Sequence, residues 1–459
     1  MTDFSLEVFQ NEYVPAQGTT MDAVVTVTGR GSAPVAASDA AEVLIIDTSG
    51  SMYSPPSRIR SAVQAAGLAV DRIGDGVRFG IVAGNHDASI VFPPWGTGLV
   101  VADPSSRAAA REAVRHLEPS GGTAISKWLL AARDLFAASP MPRRHAILLT
   151  DGENNEVPGV LEAALEQCRG MFQADCRGVG TDWVVDELRT IASALLGSVD
   201  IIRESEGLEA ELQALMEASM SRTAQASLRV WCPTGAAVSF FRQVAPEVED
   251  LTHWGTQVDL RSREYPLGTW GTEARDYHLS VTVPANETGV EMQAARLSLV
   301  VNDAVVGPAV VRIVWTDDGS DMRVSPEVAH YSEQAELSMA IQQGLRALQA
   351  GDERTATVRL GQATRLAASS GHTGTVRMLK KVVDVEDEKT GTVRVRRHIA
   401  KADQMELDTR STRTVRVDRV SKDQAARPDT RSIRTVRVGG AKPARPPGTG
   451  ATDTGGGAV

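Results

Sequence analysis

The chain has 459 residues, 42% of them hydrophobic, with three cysteines and a formal net charge of −10. That length exceeds one ordinary domain and supplies apolar side chains for two or three cores. No run of about 18 apolar residues occurs, which argues against membrane insertion through a helix. Residues 1–5 lack the basic start and apolar run of a secretory leader, so a cytoplasmic location is expected. Cys168, Cys176 and Cys232 form an odd, unpatterned set, as expected of small buried residues in a reducing compartment. From residue 386 onward 16 Lys and Arg stand against 10 Asp and Glu, so a basic tail follows a body more acidic than the net charge suggests. No aromatic side chain is interleaved with those charges, and nucleic acid is not an expected partner.

Residues 4–10 and 21–29 alternate apolar with polar, through Phe4, Leu6 and Val8 and then Ala23, Val25 and Val27. They predict two strands joined by the loop Pro15-Ala16-Gln17-Gly18. From 39 to 219 the pattern changes to alternating strands and helices. Strands are predicted near 42–47, 77–83, 88–93, 144–150, 172–179 and 198–203. Helices are predicted near 57–74, 105–117, 124–138, 158–169, 182–196 and 206–219. Val43-Leu44-Ile45-Ile46 and Ala146-Ile147-Leu148-Leu149 are unbroken apolar runs, as in central parallel strands covered on both faces. The alternation predicts an α/β domain with a doubly wound, mostly parallel sheet.

Beyond 220 the segments at 227–231, 238–241, 278–283, 296–301 and 310–315 read as strands separated by turns, which predicts a β-sandwich. Residues 1–38 and 220–318 are expected to form one sandwich, with the α/β domain of 39–219 inserted in it. Ser325-Pro326-Glu327 is a helix start. Helices near 326–349, 353–369 and 373–384, with Leu337, Ile341, Leu345 and Leu348 in one stripe, predict a small helical bundle over 323–386. From 387 large apolar residues become rare and Pro and Gly accumulate, so residues 387–459 are expected to be a disordered basic tail.

Chemistry concentrates at the ends of two of the apolar strands. In Ile45-Ile46-Asp47-Thr48-Ser49-Gly50-Ser51, positions 47, 49 and 51 of an extended segment point the same way. Asp151 closes the strand that starts near 144, and ligands of open α/β sheets sit beyond such carboxyl ends. Thr123 follows Gly121-Gly122, a turn that lets the backbone approach an ion. Asp47, Ser49, Ser51, Thr123 and Asp151 therefore make an oxygen-only donor set suited to a hard divalent cation such as Mg²⁺, with Mn²⁺ or Ca²⁺ equally open.

In this order and context the residues resemble the von Willebrand factor type A domain family. Its metal-ion-dependent adhesion site reads Asp-x-Ser-x-Ser, then Thr, then Asp-Gly, and Asp47, Ser49, Ser51, Thr123 and Asp151-Gly152 match every element. The resemblance covers residues 39–218. It implies a Rossmann-like fold, direct metal ligation by the two Ser and the Thr, and Asp ligation directly or through water. It also implies an acidic residue, Asp or Glu, of a protein partner completing the ion's coordination.

The tail holds a repeat. Asp408-Thr409-Arg410-Ser411-Thr412-Arg413-Thr414-Val415-Arg416-Val417 returns as Asp429-Thr430-Arg431-Ser432-Ile433-Arg434-Thr435-Val436-Arg437-Val438, with a partial copy at Thr392-Val393-Arg394-Val395. Thr392, Thr414 and Thr435, each among arginines with Val three residues on, are candidate phosphorylation sites for a Ser/Thr kinase. In phosphorylated form they resemble ligands of forkhead-associated domains. Strand addition to a sheet edge, in a partner or in this protein, and a neutral linker are the other readings.

The expected function is a metal-dependent adaptor that grips a partner's Asp or Glu, not an enzyme. The layout resembles bacterial proteins of Ser/Thr-kinase signalling systems. A subunit of an ATPase-driven machine of the chelatase kind is the alternative. A metal-dependent hydrolase ranks behind it, because the eight histidines are scattered and no Ser/His/Asp arrangement or phosphate-binding loop appears. His145, which starts the strand leading to Asp151, is expected at the opposite end of the sheet from the metal.

Overall fold

A computed structural model describes residues 3–30, 39–53, 57–202, 213, 215–216, 224–302, 304–319, 325–414, 416 and 433–436. The inserted α/β domain is built on a seven-stranded sheet. Its parallel strands run in the order Val199–Ile202, Gln173–Val179, Arg143–Thr150, Ala40–Asp47 and Arg78–Gly84. Ala88–Phe92 and the short Val100–Val101 both pair antiparallel with Arg78–Gly84. The two unbroken apolar runs are the central strands, and every residue of Ala40–Asp47 is buried. One apolar cluster lies on each side of this sheet. Trp128, Leu129 and Phe136 of helix Ile125–Ala138 dominate one, and helices Ser57–Arg72 and Pro104–Arg115 supply Ala66, Val70 and Val114 to the other. The helix expected near 206–219 lies largely outside the described residues.

The β-sandwich has two six-stranded sheets. The first runs Glu249–Asp250, Ala237–Ala245, Ala274–Thr282, Thr20–Arg30, Asp3–Gln10, Ile433–Val436. The second runs Thr256–Asp259, Ser262–Trp270, Ala224–Trp231, Glu291–Val301, Ala304–Thr316, Tyr13–Pro15. The N-terminal strands sit in the first sheet because Thr20–Arg30 pairs with both Asp3–Gln10 and Ala274–Thr282. Leu6, Val25 and Tyr277 of one sheet share a core with Leu228, Leu297 and Trp315 of the other. The strand Ser262–Trp270 escaped the sequence reading because Pro266 and Gly268 interrupt its pattern.

Helix Pro326–Gln349 packs Val328 and Tyr331 against Phe9, Val24 and Val244 of the sandwich. It then joins Glu353–Ser369 and Thr373–Val382 around a second small core. The expectation that order ends at 387 is corrected. Val383–Asp387 and Thr392–Val395 form a hairpin, and helix Lys401–Thr409 follows. Apolar residues are sparse there, but those present are spaced to be buried. Val393, Val395 and Leu407 enter the helical core, while Met405 joins the α/β core. Residues 417–432 and 437–459 of the expected disordered tail lie outside the described residues.

Candidate functional site

The five oxygen-bearing residues come from three loops at the carboxyl ends of two adjacent central strands. Ala40–Asp47 and Arg143–Thr150 pair in register, Ile46 opposite Leu149, which sets Thr150 beside Asp47. The Thr150 hydroxyl donates to Asp47 Oδ2 at 2.5 Å, and the Ser49 backbone N–H donates to Asp47 Oδ1 at 2.7 Å. The segment 48–51 is thereby turned over the strand end. Ser49 and Ser51 hydroxyls meet at 2.8 Å, and Ser51 donates to Asp151 Oδ1 at 2.7 Å.

Thr123 is carried in from the other side. Backbone hydrogen bonds of 2.8 Å from Gly50 N–H to the Gly121 carbonyl and from Ser120 N–H to the Thr48 carbonyl tie the two loops. Gly121 has φ 74°, and a Cβ there would lie 2.0 Å from His86 Nδ1, so this turn requires glycine. Asn155 fixes Thr123 from below by accepting its N–H at 2.9 Å on Oδ1 and donating its own N–H to the Thr123 carbonyl. Asn154, the neighbouring rim residue, accepts from Ile125 N–H at 3.2 Å.

Gly152 shows how closely these oxygens converge. A Cβ built on it would stand 3.2 Å from Ser51 Oγ, 3.2 Å from Thr123 Oγ1 and 3.7 Å from Asp47 Oδ2. The glycine leaves open a small cradle ringed by hydroxyls with carboxylates behind them. Asp47 and Asp151 have fully buried side chains, and Ser49 and Thr123 are nearly as buried. Burial pushes the Asp47 carboxyl above its ordinary value; hydrogen bonds from Ser49 and Thr150 oppose this, and the charge of Asp151 adds to it. Burial likewise raises Asp151, against hydrogen bonds from Ser51 and Arg58. Two anions under strain, faced by hydroxyl oxygens and no nitrogen or sulfur ligand, suit a hard divalent ion. Among the described residues no group of three or more His, Cys, Asp and Glu is placed to hold a metal ion, and at this site hydroxyls make up three of the five donors.

The sequence reading missed Arg58 and Thr150. Arg58, in the first turn of helix Ser57–Arg72, donates to Asp151 Oδ2 at 3.0 Å and to Asp182 Oδ2 at 2.7 Å. Its place just after the Ser51 loop was the one available signal, and an arginine in a helical first turn is ordinarily a solvated one. Thr150 ends a buried strand, where the sequence shows a β-former and nothing more.

The tail threonines do not join this cluster. Thr392 is exposed, its hydroxyl 2.8 Å from that of Thr390. Thr414 is half-buried and donates its hydroxyl to the Val244 carbonyl at 2.6 Å. Thr435 pairs through its backbone with Glu7. His145 lies at the far end of the sheet. It is buried between Glu42 Oε2 and Asp175 Oδ2, each 2.8 Å from one ring nitrogen. Glu42 and Asp175 are on the two flanking strands, so the triad is assembled by strand register across the sheet.

Comparison with known proteins places these features. Residues 43–153 match the model of the von Willebrand factor type A domain, and residues 365–411 match that of the von Willebrand factor type A C-terminal domain. The solved structure of a von Willebrand factor type A protein from Catenulispora acidiphila is 43% identical with TM-score 0.86, covering 90% of this chain and 97% of that one. The ArnB paralog VWA2 from Sulfolobus acidocaldarius is 15% identical with TM-score 0.57, over 90% of this chain and 98% of that one, a likeness of fold alone. No curated protein matches the chain. Among the described residues no helix is long and apolar enough to cross a membrane.

Proposed function

This chain belongs to the von Willebrand factor type A family, and from that premise we propose that it is a metal-dependent adaptor that binds an acidic residue of a protein partner. Ser49, Ser51 and Thr123 would hold the ion directly, with Asp47 and Asp151 ligating directly or through water. When bound, a Mg²⁺ ion (or Mn²⁺ or Ca²⁺ in its place) supplies an electron-poor coordination position for a carboxylate oxygen. The observation that carries the reading is the convergence of Ser51, Thr123 and Asp47 on the one opening left by Gly152.

The surrounding residues hold these donors in place. Thr150 fixes the Asp47 carboxylate, and Asn155 fixes the backbone of Thr123. Arg58 orients Asp151 and compensates part of its charge. Charge neutralisation by hydroxyl ligands is incomplete, which favours an anionic group from outside. The protein acts by binding and catalyses no reaction. Thr392 is exposed and open to a Ser/Thr kinase and a forkhead-associated reader, whereas Thr414 has its hydroxyl committed to Val244.

Calorimetric titration of the full chain with Mg²⁺, Mn²⁺ and Ca²⁺, repeated on Ser51→Ala and Thr123→Ala, tests the ion. Uptake by the parent and its loss in both variants are expected. Partner capture in Mg²⁺ with release by chelator tests the adaptor role. Absence of uptake by the folded parent, or capture indifferent to chelator, refutes it. Phosphopeptide mapping after expression with an active kinase tests Thr392.

A further inference from the structure

Of the copy of the repeat at 408–417, Asp408 to Thr414 and Arg416 are described, and their surroundings form a built receptor. Asp408 accepts from Arg189 at 2.8 Å on Oδ1. Arg410 reaches Asp200 Oδ1 at 3.2 Å, and Arg413 takes the other oxygen of the same carboxylate. Ser411 is buried and accepts from Gln342 at 3.3 Å. The Thr412 carbonyl accepts the Val248 N–H at 2.7 Å, and Thr414 N–H donates to the Pro246 carbonyl at 2.8 Å. Arg416 closes the series with two bonds to Asp276, of 2.8 and 3.0 Å.

The two acids are receptor groups, not chance surface charges. The Asp200 side chain is 5% exposed and that of Asp276 fully buried. Burial alone would raise both carboxyls. The arginines of the repeat, with Thr26 and Tyr331 at Asp276, outweigh it and hold both below the ordinary value. Asp276 is prepared for a bidentate guanidinium, since Thr26 and Tyr331 hydroxyls already fix its oxygens. Arg189 and Asp200 belong to the α/β domain, Asp276 and Val248 to the sandwich, and Gln342 to the helical bundle. The segment therefore lies where all three units meet.

Residues 429–438 repeat the decapeptide 408–417 with one change, Ile433 for Thr412. Thr412 meets the groove through its carbonyl, which isoleucine retains. Asp429, Arg431, Ser432, Arg434, Thr435 and Arg437 restore every anchoring side chain at the same spacing. In the structure Ile433–Val436 lies antiparallel on the outer edge of Asp3–Gln10, in the sheet that also contains Asp276.

We propose that the groove is shared: residues 429–438 of the same chain are its second ligand and replace residues 408–417 when that copy is released. The stretch between the buried Leu407 and Asp429 holds 21 residues, which when released spans about 25 Å as a coil. A ligand tethered in this way acts at an effective concentration on the order of millimolar, ahead of any ligand in dilute solution.

Amide exchange at Val248 reports occupancy by either copy, since each presents a carbonyl there. Three full-length variants are compared: Arg413→Ala/Arg416→Ala, Arg434→Ala/Arg437→Ala, and all four substitutions together. Each double variant keeps the protection of Val248. The quadruple variant loses it on the order of 100-fold, while amides of strand Ala40–Asp47 exchange as in the parent and confirm the fold. A synthetic peptide of residues 429–438 added to the quadruple variant restores protection saturably. The proposal is overturned if Arg413→Ala/Arg416→Ala alone loses as much as the quadruple variant. It is equally overturned if the quadruple variant keeps its protection, or if the peptide changes nothing. A fall in protection of the first double variant on roughly tenfold dilution would assign the second ligand to another molecule and end the same-chain assignment.

Discussion

A single methyl group at Gly152 would stand inside the oxygen cradle. The backbone permits the substitution, because φ of Gly152 lies outside the left-handed region. The obstacle is the contact with Ser51 Oγ and Thr123 Oγ1, each 3.2 Å from the position of the new carbon. Either hydroxyl must withdraw by a few tenths of an ångström, whereas ligand distances in a working metal site hold to about 0.2 Å. Gly152→Ala is therefore expected to weaken Mg²⁺ uptake by about 10–100-fold, the range seen when groups around metal ligands are disturbed. That corresponds to about 1.4–2.8 kcal/mol of binding free energy. The added methyl is expected to lower stability by about 1–3 kcal/mol, as overpacking does, so the chain stays folded. Calorimetric titration with Mg²⁺ gives the affinity, and a thermal melt in chelator gives the stability. Uptake by folded Gly152→Ala within about twofold of the parent, well under 1 kcal/mol, would refute the placement of the ion among these oxygens.

The buried His145 triad predicts a pH dependence. Burial lowers the His145 pKa, but Glu42 and Asp175 outweigh this and raise it from 6.5 to about 9. A raised folded value stabilises fully below the unfolded pKa, so about 3 kcal/mol present below pH ~6.5 should fade as pH rises through ~9. A His145→Gln variant, melted across that window, should lack this decline; an identical slope in parent and variant would count against the triad. Arg58→Ala removes a cation from beside Asp151 and should tighten Mg²⁺ uptake several-fold. The same variant should lower stability in chelator by about 1–3 kcal/mol, less than for a fully buried pair because Arg58 is partly exposed. Leu407→Ala deletes a fully buried side chain of helix Lys401–Thr409. It should lower stability by about 2–5 kcal/mol and hasten proteolysis between residues 387 and 412.

Much of the α/β domain and its site is local in origin, and so was readable. Short apolar runs with no alternation, set in a strand–helix alternation, read as strands covered on both faces, which marked Ala40–Asp47 and Arg143–Thr150 as central and put Asp47 and Asp151 at their ends. Period-two alternation likewise marked the strands that open the chain. The roles of Arg58 and Thr150 had no such signature. Each depends on a carboxylate about a hundred positions away in the chain, brought near by parallel register. The Glu42–His145–Asp175 triad is of the same kind, since three adjacent strands must align before one imidazole can bridge two acids. The order of residues 387–414 shows the limit most plainly. Composition there is polar and basic, and by itself it cannot bury enough surface to offset chain entropy. Asp200, Asp276 and the carbonyl of Val244 lie far back along the chain, and only the assembled sheets present them together for Arg413, Arg416 and Thr414 to meet.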